Sequence, residues 1–113
     1  MTIDISGSAL TMTPIVEAER QISNQNDKPV ALKMNGLVSH HLGMRIAEQF
    51  YSLCAVNSNS DVIKAVKPDT MSITRWTSPY GIVDFVLDES LSNDELVVVG
   101  AIGTEVQIKG FSL

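Results

Sequence analysis

The sequence predicts a single α/β domain over residues 1–113, with α+β the alternative, in which a mixed sheet of about five strands is covered by two helices. The first observation behind this is a set of three apolar runs rich in β-branched residues. They are Thr70-Met71-Ser72-Ile73-Thr74-Arg75-Trp76-Thr77, Ile82-Val83-Asp84-Phe85-Val86-Leu87 and Glu95-Leu96-Val97-Val98-Val99. Ser78-Pro79-Tyr80-Gly81 and the polar stretch from Asp88 to Asp94 separate them, and such punctuation reads as adjacent strands. The second is that most of the chain before these runs carries helical periodicity. The third is size: 113 residues at 44% hydrophobic content suit one core, burying roughly two-thirds of the unfolded surface.

Residues 1–9 alternate weakly through Ile3 and Ile5 around Gly7, which fits an edge strand or an arm laid on a neighbour. A helix is expected next, with Thr13 as N-cap, Pro14 in the first helical position and Glu17 and Glu19 near the positive helix end. Ile15, Ala18 and Ile22 share one face, opposed by Glu17 and Arg20, and the polar stretch Ser23-Asn24-Gln25-Asn26-Asp27 ends the helix. Val30, Leu32 and Met34 then alternate as a half-buried strand, which Asn35-Gly36 breaks. A long helix over residues 37–55 follows, with the stripe Val38, Leu42, Ile46, Phe50 and Leu53, and with Gly43 marking a close contact or a weak point.

The polar tip at residues 57–61 leads to a short strand candidate at 62–66 and a Lys67-Pro68-Asp69 turn. In the second of the three runs, Val83, Phe85 and Leu87 point one way and Ile82, Asp84 and Val86 the other, a strand buried on one side and partly on the other. Leu96 to Val99 does not alternate and predicts a central strand covered on both faces. Glu105-Val106-Gln107-Ile108-Lys109 alternates again and predicts an edge strand.

Charge and composition narrow the function classes. A net charge of −5 and a pI near 4.8 argue against direct nucleic-acid binding, which draws its affinity from clustered Lys and Arg. Cys54 is the single cysteine and has no disulfide partner in the chain, and the opening residues show no leader pattern, so a reducing cytoplasm is the expected setting. No apolar run approaches the ~18 to 20 residues that span a bilayer, so no membrane partner is expected.

Candidate chemistry is sparse. His40 and His41 are adjacent, so on a helix they point about 100° apart and do not converge on one metal. Cys54 beside Leu53 and after Phe50 reads as a small buried hydrophobe. Asp88, Glu89, Asp94 and Glu95 crowd one loop without the alternating ligand spacing of a calcium loop, and read as solvated or as the acidic half of a contact. No glycine pattern cradles phosphate. Trp76 and Tyr80 flank a strand turn, where they either cap a core or anchor an interface. The expectation is a non-enzymatic protein with no catalytic, metal or cofactor residues and no small-molecule substrate. An enzyme using His40 or His41 as a base ranks last.

The order of elements and a few short motifs resemble the C-terminal part of tailed-bacteriophage major capsid proteins. The residues that carry the likeness are the strand closing on Met34-Asn35-Gly36, the run from Ile73 through Trp76, Ser78-Pro79 and Tyr80-Gly81 into Ile82-Val83-Asp84-Phe85-Val86-Leu87, and Leu91-Ser92-Asn93-Asp94-Glu95-Leu96-Val97-Val98-Val99. Asn35-Gly36 stands where the family has an Asn-Pro form, and Ser92-Asn93 replaces a Pro-containing turn. The resemblance implies the axial domain of a shell subunit, located in the virion after assembly in a bacterial cytoplasm. Its partners are then copies of itself or other capsid subunits. The arm, extended loop and spine helix of a complete shell subunit have no counterpart in 113 residues, which implies an isolated domain or a fragment of a longer capsid protein. Expected contact residues are Trp76, Tyr80, Asn57, Asn59, Asp88, Glu89 and Asp94. The rival expectation is a small cytoplasmic adaptor or regulatory module that adds a partner strand along residues 105–109.

Overall fold

The computed structural model describes residues 1–57 and 74–113, with the backbone alone for residues 49–57. The expected strand at 62–66, the turn at 67–69 and the start of the first β-rich run lie outside the described residues. The elements are β1 (Thr2–Asp4), α1 (Met12–Asn24), β2 (Pro29–Met34), α2 (Gly36–Asn57), β3 (Arg75–Ser78), β4 (Gly81–Leu87), β5 (Glu95–Gly100) and β6 (Glu105–Lys109). The described strands form one six-stranded mixed sheet in the order β1-β6-β5-β2-β4-β3.

Two features of this order differ from the sequence expectation. The three β-rich runs are not contiguous, because β2 inserts between β4, which it meets in parallel, and β5, which it meets antiparallel. β6 is not an edge, because β1 pairs with it in parallel through Thr2 to Gln107, Ile3 to Ile108 and Asp4 to Lys109. Alternation at residues 105–109 reports one buried face, and an internal strand of a sheet with one open face alternates as an edge strand does.

Both helices lie on the same face. Ile15, Ala18 and Ile22 of α1 and Val38 and Leu42 of α2 form one core with Leu32, Met34, Val83, Leu96, Val98, Val106 and Ile108 of the sheet. The predicted face of α1 is therefore the buried one, and its opposite side carries an exposed Glu17–Arg20 ion pair. α1 starts two residues earlier than expected, with Thr11 as N-cap in extended conformation and Pro14 in the third helical position. That position also tolerates proline, since the first four helical N–H groups have no intrahelical acceptor. Neither acidic residue lies in the first turn, so neither complements the helix dipole as anticipated.

Among the described residues the strand β5 is internal but covered on one side only. Leu96 and Val98 are buried while Val97 and Val99 are half-buried on the opposite face. Along β4 burial fades, from Val83 in the core through a half-buried Phe85 to an exposed Leu87. Ile82 and Val86, on the far side of the same strand, are exposed. Of the stripe on α2, Val38 and Leu42 are buried and Ile46 is half-buried; the side chains of Phe50 and Leu53 lie outside the described residues.

Candidate functional site

Most of the anticipated contact residues fall on two features, the β4–β5 loop and the β3–β4 turn. The loop closes over the start of α2. Asn35, the residue before that helix, accepts the Val38 N–H on Oδ1 at 2.9 Å, an N-cap bond. Its Nδ2 donates to the Leu91 carbonyl at 3.1 Å and to Asn93 Oδ1 at 2.9 Å. Glu89 accepts the Gly36 N–H at 3.0 Å on Oε1, placing a carboxylate at the positive end of α2. Asp88 accepts the backbone and hydroxyl of Ser90, and these bonds hold its carboxyl below the usual aspartate range. Asp94 accepts the Gly110 N–H on its carbonyl at 2.9 Å. Glu89 thus caps α2, Asp88 shapes the loop, and Asp94 ties β5 to the C-terminal segment through its backbone carbonyl.

A second carboxylate organises the far end of the sheet. Asp27 follows α1 and accepts the N–H groups of Lys28 (2.7 Å) and Ile102 (3.0 Å) on Oδ1 and that of Thr104 (3.1 Å) on Oδ2. Desolvation opposes its charge, but these donors outweigh it and the pKa is lowered. Asp27 also lies where a Cβ on Gly100 would stand, so the β5–β6 turn closes only with glycine at that position.

The β3–β4 turn carries Trp76 and Tyr80, both half-buried, and packs against α1 through a buried acid. Glu19 has no solvent exposure. Its Oε2 lies 2.5 Å from Ser78 Oγ, and its Oε1 is buried with no hydrogen-bond partner. Burial raises the Glu19 pKa, with the Ser78 contact working the other way. His40 and His41 meet edge to face with centroids 5.9 Å apart, and no cluster of three potential metal ligands occurs among the described residues. Asn57 is the last residue of α2, and Asn59 lies outside the described residues.

From the sequence Asn35 reads as part of a strand break and Glu19 as an acid near the positive helix end, although a signal for the observed role existed for each. Asn35 directly precedes the first periodic residues of α2, where an N-cap belongs. Glu19 sits four residues after Ile15 and three before Ile22, inside the apolar stripe and not beside it. Asp27 gave no local sign, because its partners are about 75 residues away in the chain.

The sheet face that no described element covers is the other surface with a definite pattern. Register aligns Glu105, Val99, Ala31, Asp84 and Arg75 across β6, β5, β2, β4 and β3. A neighbouring row runs Thr2, Gln107, Val97, Lys33 and Val86. The middle of the face therefore holds Val97, Val99 and Ala31 together with Lys33, and Ile82 and Val86 are exposed on β4 to either side of Asp84. Asp4, Glu95 and Glu105 lie on the β1, β6 and β5 side with Lys109 between Asp4 and Glu95, and Lys33 and Arg75 lie on the β2 and β3 side, where Arg75 Nε donates to Asp84 at 2.8 Å. Among the described residues no helix is long and apolar enough to cross a membrane. No protein-family model, curated protein or solved structure matches the chain.

Proposed function

We propose that this chain is a structural domain that works by associating with copies of itself, and that the uncovered sheet face forms the contact. The observation that carries the reading is the apolar cluster Val97, Val99 and Ala31 on that face, with exposed Val86 beyond Lys33 and exposed Ile82 beyond Asp84. A sheet needs a hydrophobic face only where something packs on it, and apolar residues aligned across neighbouring strands suit a second protein surface better than water. The charges add direction. The side toward β1 carries an excess of acidic residues and Lys33 and Arg75 lie on the other side, so two copies that pack this face antiparallel about a two-fold axis bring opposite signs together.

The capsid-like motifs support the same reading at a finer level: a subunit domain of the tailed-phage shell type, arranged around an axis and located in the virion. They fall in order on α1, β2, α2, the β3–β4 hairpin and β5. The proposal includes no catalytic step, cofactor, small-molecule substrate, membrane or nucleic-acid partner. The rival adaptor that adds a strand to β6 loses its site, because β1 occupies that edge.

Native mass spectrometry and light scattering of the chain across concentration and salt test the proposal. Mass that grows with concentration is the expected result, and five- or six-fold species among the products support the finer shell-type reading. A monomer at every concentration up to the millimolar range overturns it.

A further inference from the structure

Ser78 ends β3 beneath α1, and its hydroxyl oxygen has three polar partners. The Tyr80 N–H donates to it at 3.1 Å, the Gly81 carbonyl lies at 2.9 Å and Glu19 Oε2 lies at 2.5 Å. A serine hydroxyl owns one hydrogen and two acceptor sites. With Tyr80 taking one acceptor site, that single hydrogen faces two oxygens. Were Glu19 a carboxylate, Ser78 would either donate to it and leave the Gly81 carbonyl facing a lone pair, or donate to Gly81 and leave a buried carboxylate with no donor on either oxygen. The second case is the costly one, because an unpaired buried charge loses all its hydration.

A hydrogen on Glu19 resolves the count. The acid then donates to Ser78 Oγ, Ser78 donates to the Gly81 carbonyl, and Tyr80 donates to Ser78, so the donor and both acceptor sites of the hydroxyl are used. The unpartnered Oε1 becomes the carbonyl oxygen of a neutral acid, a far cheaper group to bury than half of a carboxylate. We propose that Glu19 keeps its proton above the pH at which exposed glutamates lose theirs, and that it acts as a proton-dependent latch fastening the β3–β4 turn to α1.

The charged groups around this contact do not supply an alternative partner. On α1, Glu17 and Arg20 pair with each other on the exposed side. On the preceding loop the Lys28 side chain lies beside Gly81, and on the turn itself the neighbouring titratable group is Tyr80. On the outer face of the hairpin, Arg75 pairs with Asp84. Only Ser78 among the described residues reaches the Glu19 carboxyl. Losing the proton therefore places a charge under the turn that carries Tyr80 and follows Trp76, and the device couples pH to the position of both aromatics.

The sign follows from linkage. The closed turn binds a proton that the open turn, with Glu19 near the ordinary value of 4.5, has released; closure is favoured at low pH and weakens as pH rises toward the folded pKa. Carbon-detected NMR of the labelled chain tests the protonation directly. Of the six glutamate carboxyl resonances, the one belonging to Glu19 should keep its protonated shift at pH 6, after exposed glutamates have titrated. Amide exchange tests the latch: above about pH 4.5, the protection factors of Tyr80 and Gly81 should fall by up to about tenfold per pH unit in the native protein and stay level in Glu19→Gln. A Glu19 resonance that titrates with the exposed glutamates, or exchange protection with the same pH profile in both proteins, overturns the proposal. The resonance is assignable through bonds in the native chain, so the first readout holds even if the variant folds poorly.

Discussion

Asn35 uses one side-chain amide for two tasks, capping α2 through its oxygen and holding the β4–β5 loop through its nitrogen. Replacing it with alanine removes both, with an expected loss of about 1–2 kcal/mol in urea unfolding and an unchanged slope. Asn35→Asp keeps the cap but removes the donors to Leu91 and Asn93, and should fall between the two. Asp27 gives a pH-dependent counterpart. Its folded pKa lies below the ordinary 3.8, so its stabilising effect is complete above that value and fades as pH falls through the folded pKa. Acid unfolding followed by circular dichroism should be shallower on that limb in Asp27→Asn, while the native protein remains the more stable at pH 7. Gly100→Ala, which drives a methyl into the Asp27 carboxylate, should cost about 1–3 kcal/mol.

At the scale of elements, what was legible in the sequence was what is local. The apolar stripe Ile15, Ala18 and Ile22 placed the buried face of α1, and Val30, Leu32 and Met34 placed β2, because side-chain period follows from backbone geometry alone. The insertion of β2 between β4 and β5 was not legible, since nothing in Leu32 or Lys33 names Phe85 on one side and Val98 on the other. The role of β1 was hidden for the same reason: three residues with one inward isoleucine carry almost no pattern. Of the site, the loop at Asp88 and Glu89 was found as a feature, but its carboxylates serve the helix end and the loop itself, a contact more than 50 residues distant. Leu32 shows how much rests on that unreadable pairing. It is fully buried at the middle of the sheet, facing the helices, and Leu32→Ala should cost about 2–5 kcal/mol in chemical denaturation, with residual cavity volume setting the value. A loss below 1 kcal/mol would mean that the helices do not pack on this face.

For the whole molecule, the asymmetry of its two sheet faces decides what can be tested without disturbing the fold. The helix-covered face holds the core, so substitutions there confound association with stability. The open face does not carry that burden. Val86 is 40% exposed and stands at the end of the row Thr2, Gln107, Val97, Lys33 and Val86, so a charge there faces solvent in the isolated chain. Val86→Glu should therefore change the unfolding midpoint by less than about 0.5 kcal/mol while lowering association sharply, since an unpaired carboxylate would be buried in every contact between copies. Lys33→Glu should act differently: it leaves the apolar centre intact but removes the charge gradient across the face, so its association should weaken most at low salt, where unscreened like charges repel. Sedimentation velocity of the three proteins over the same concentration and salt range separates these effects. If Val86→Glu associates as the native chain does, the open face is not the contact, and association must run through the remaining sheet edges at β1 and β3 or through the helices.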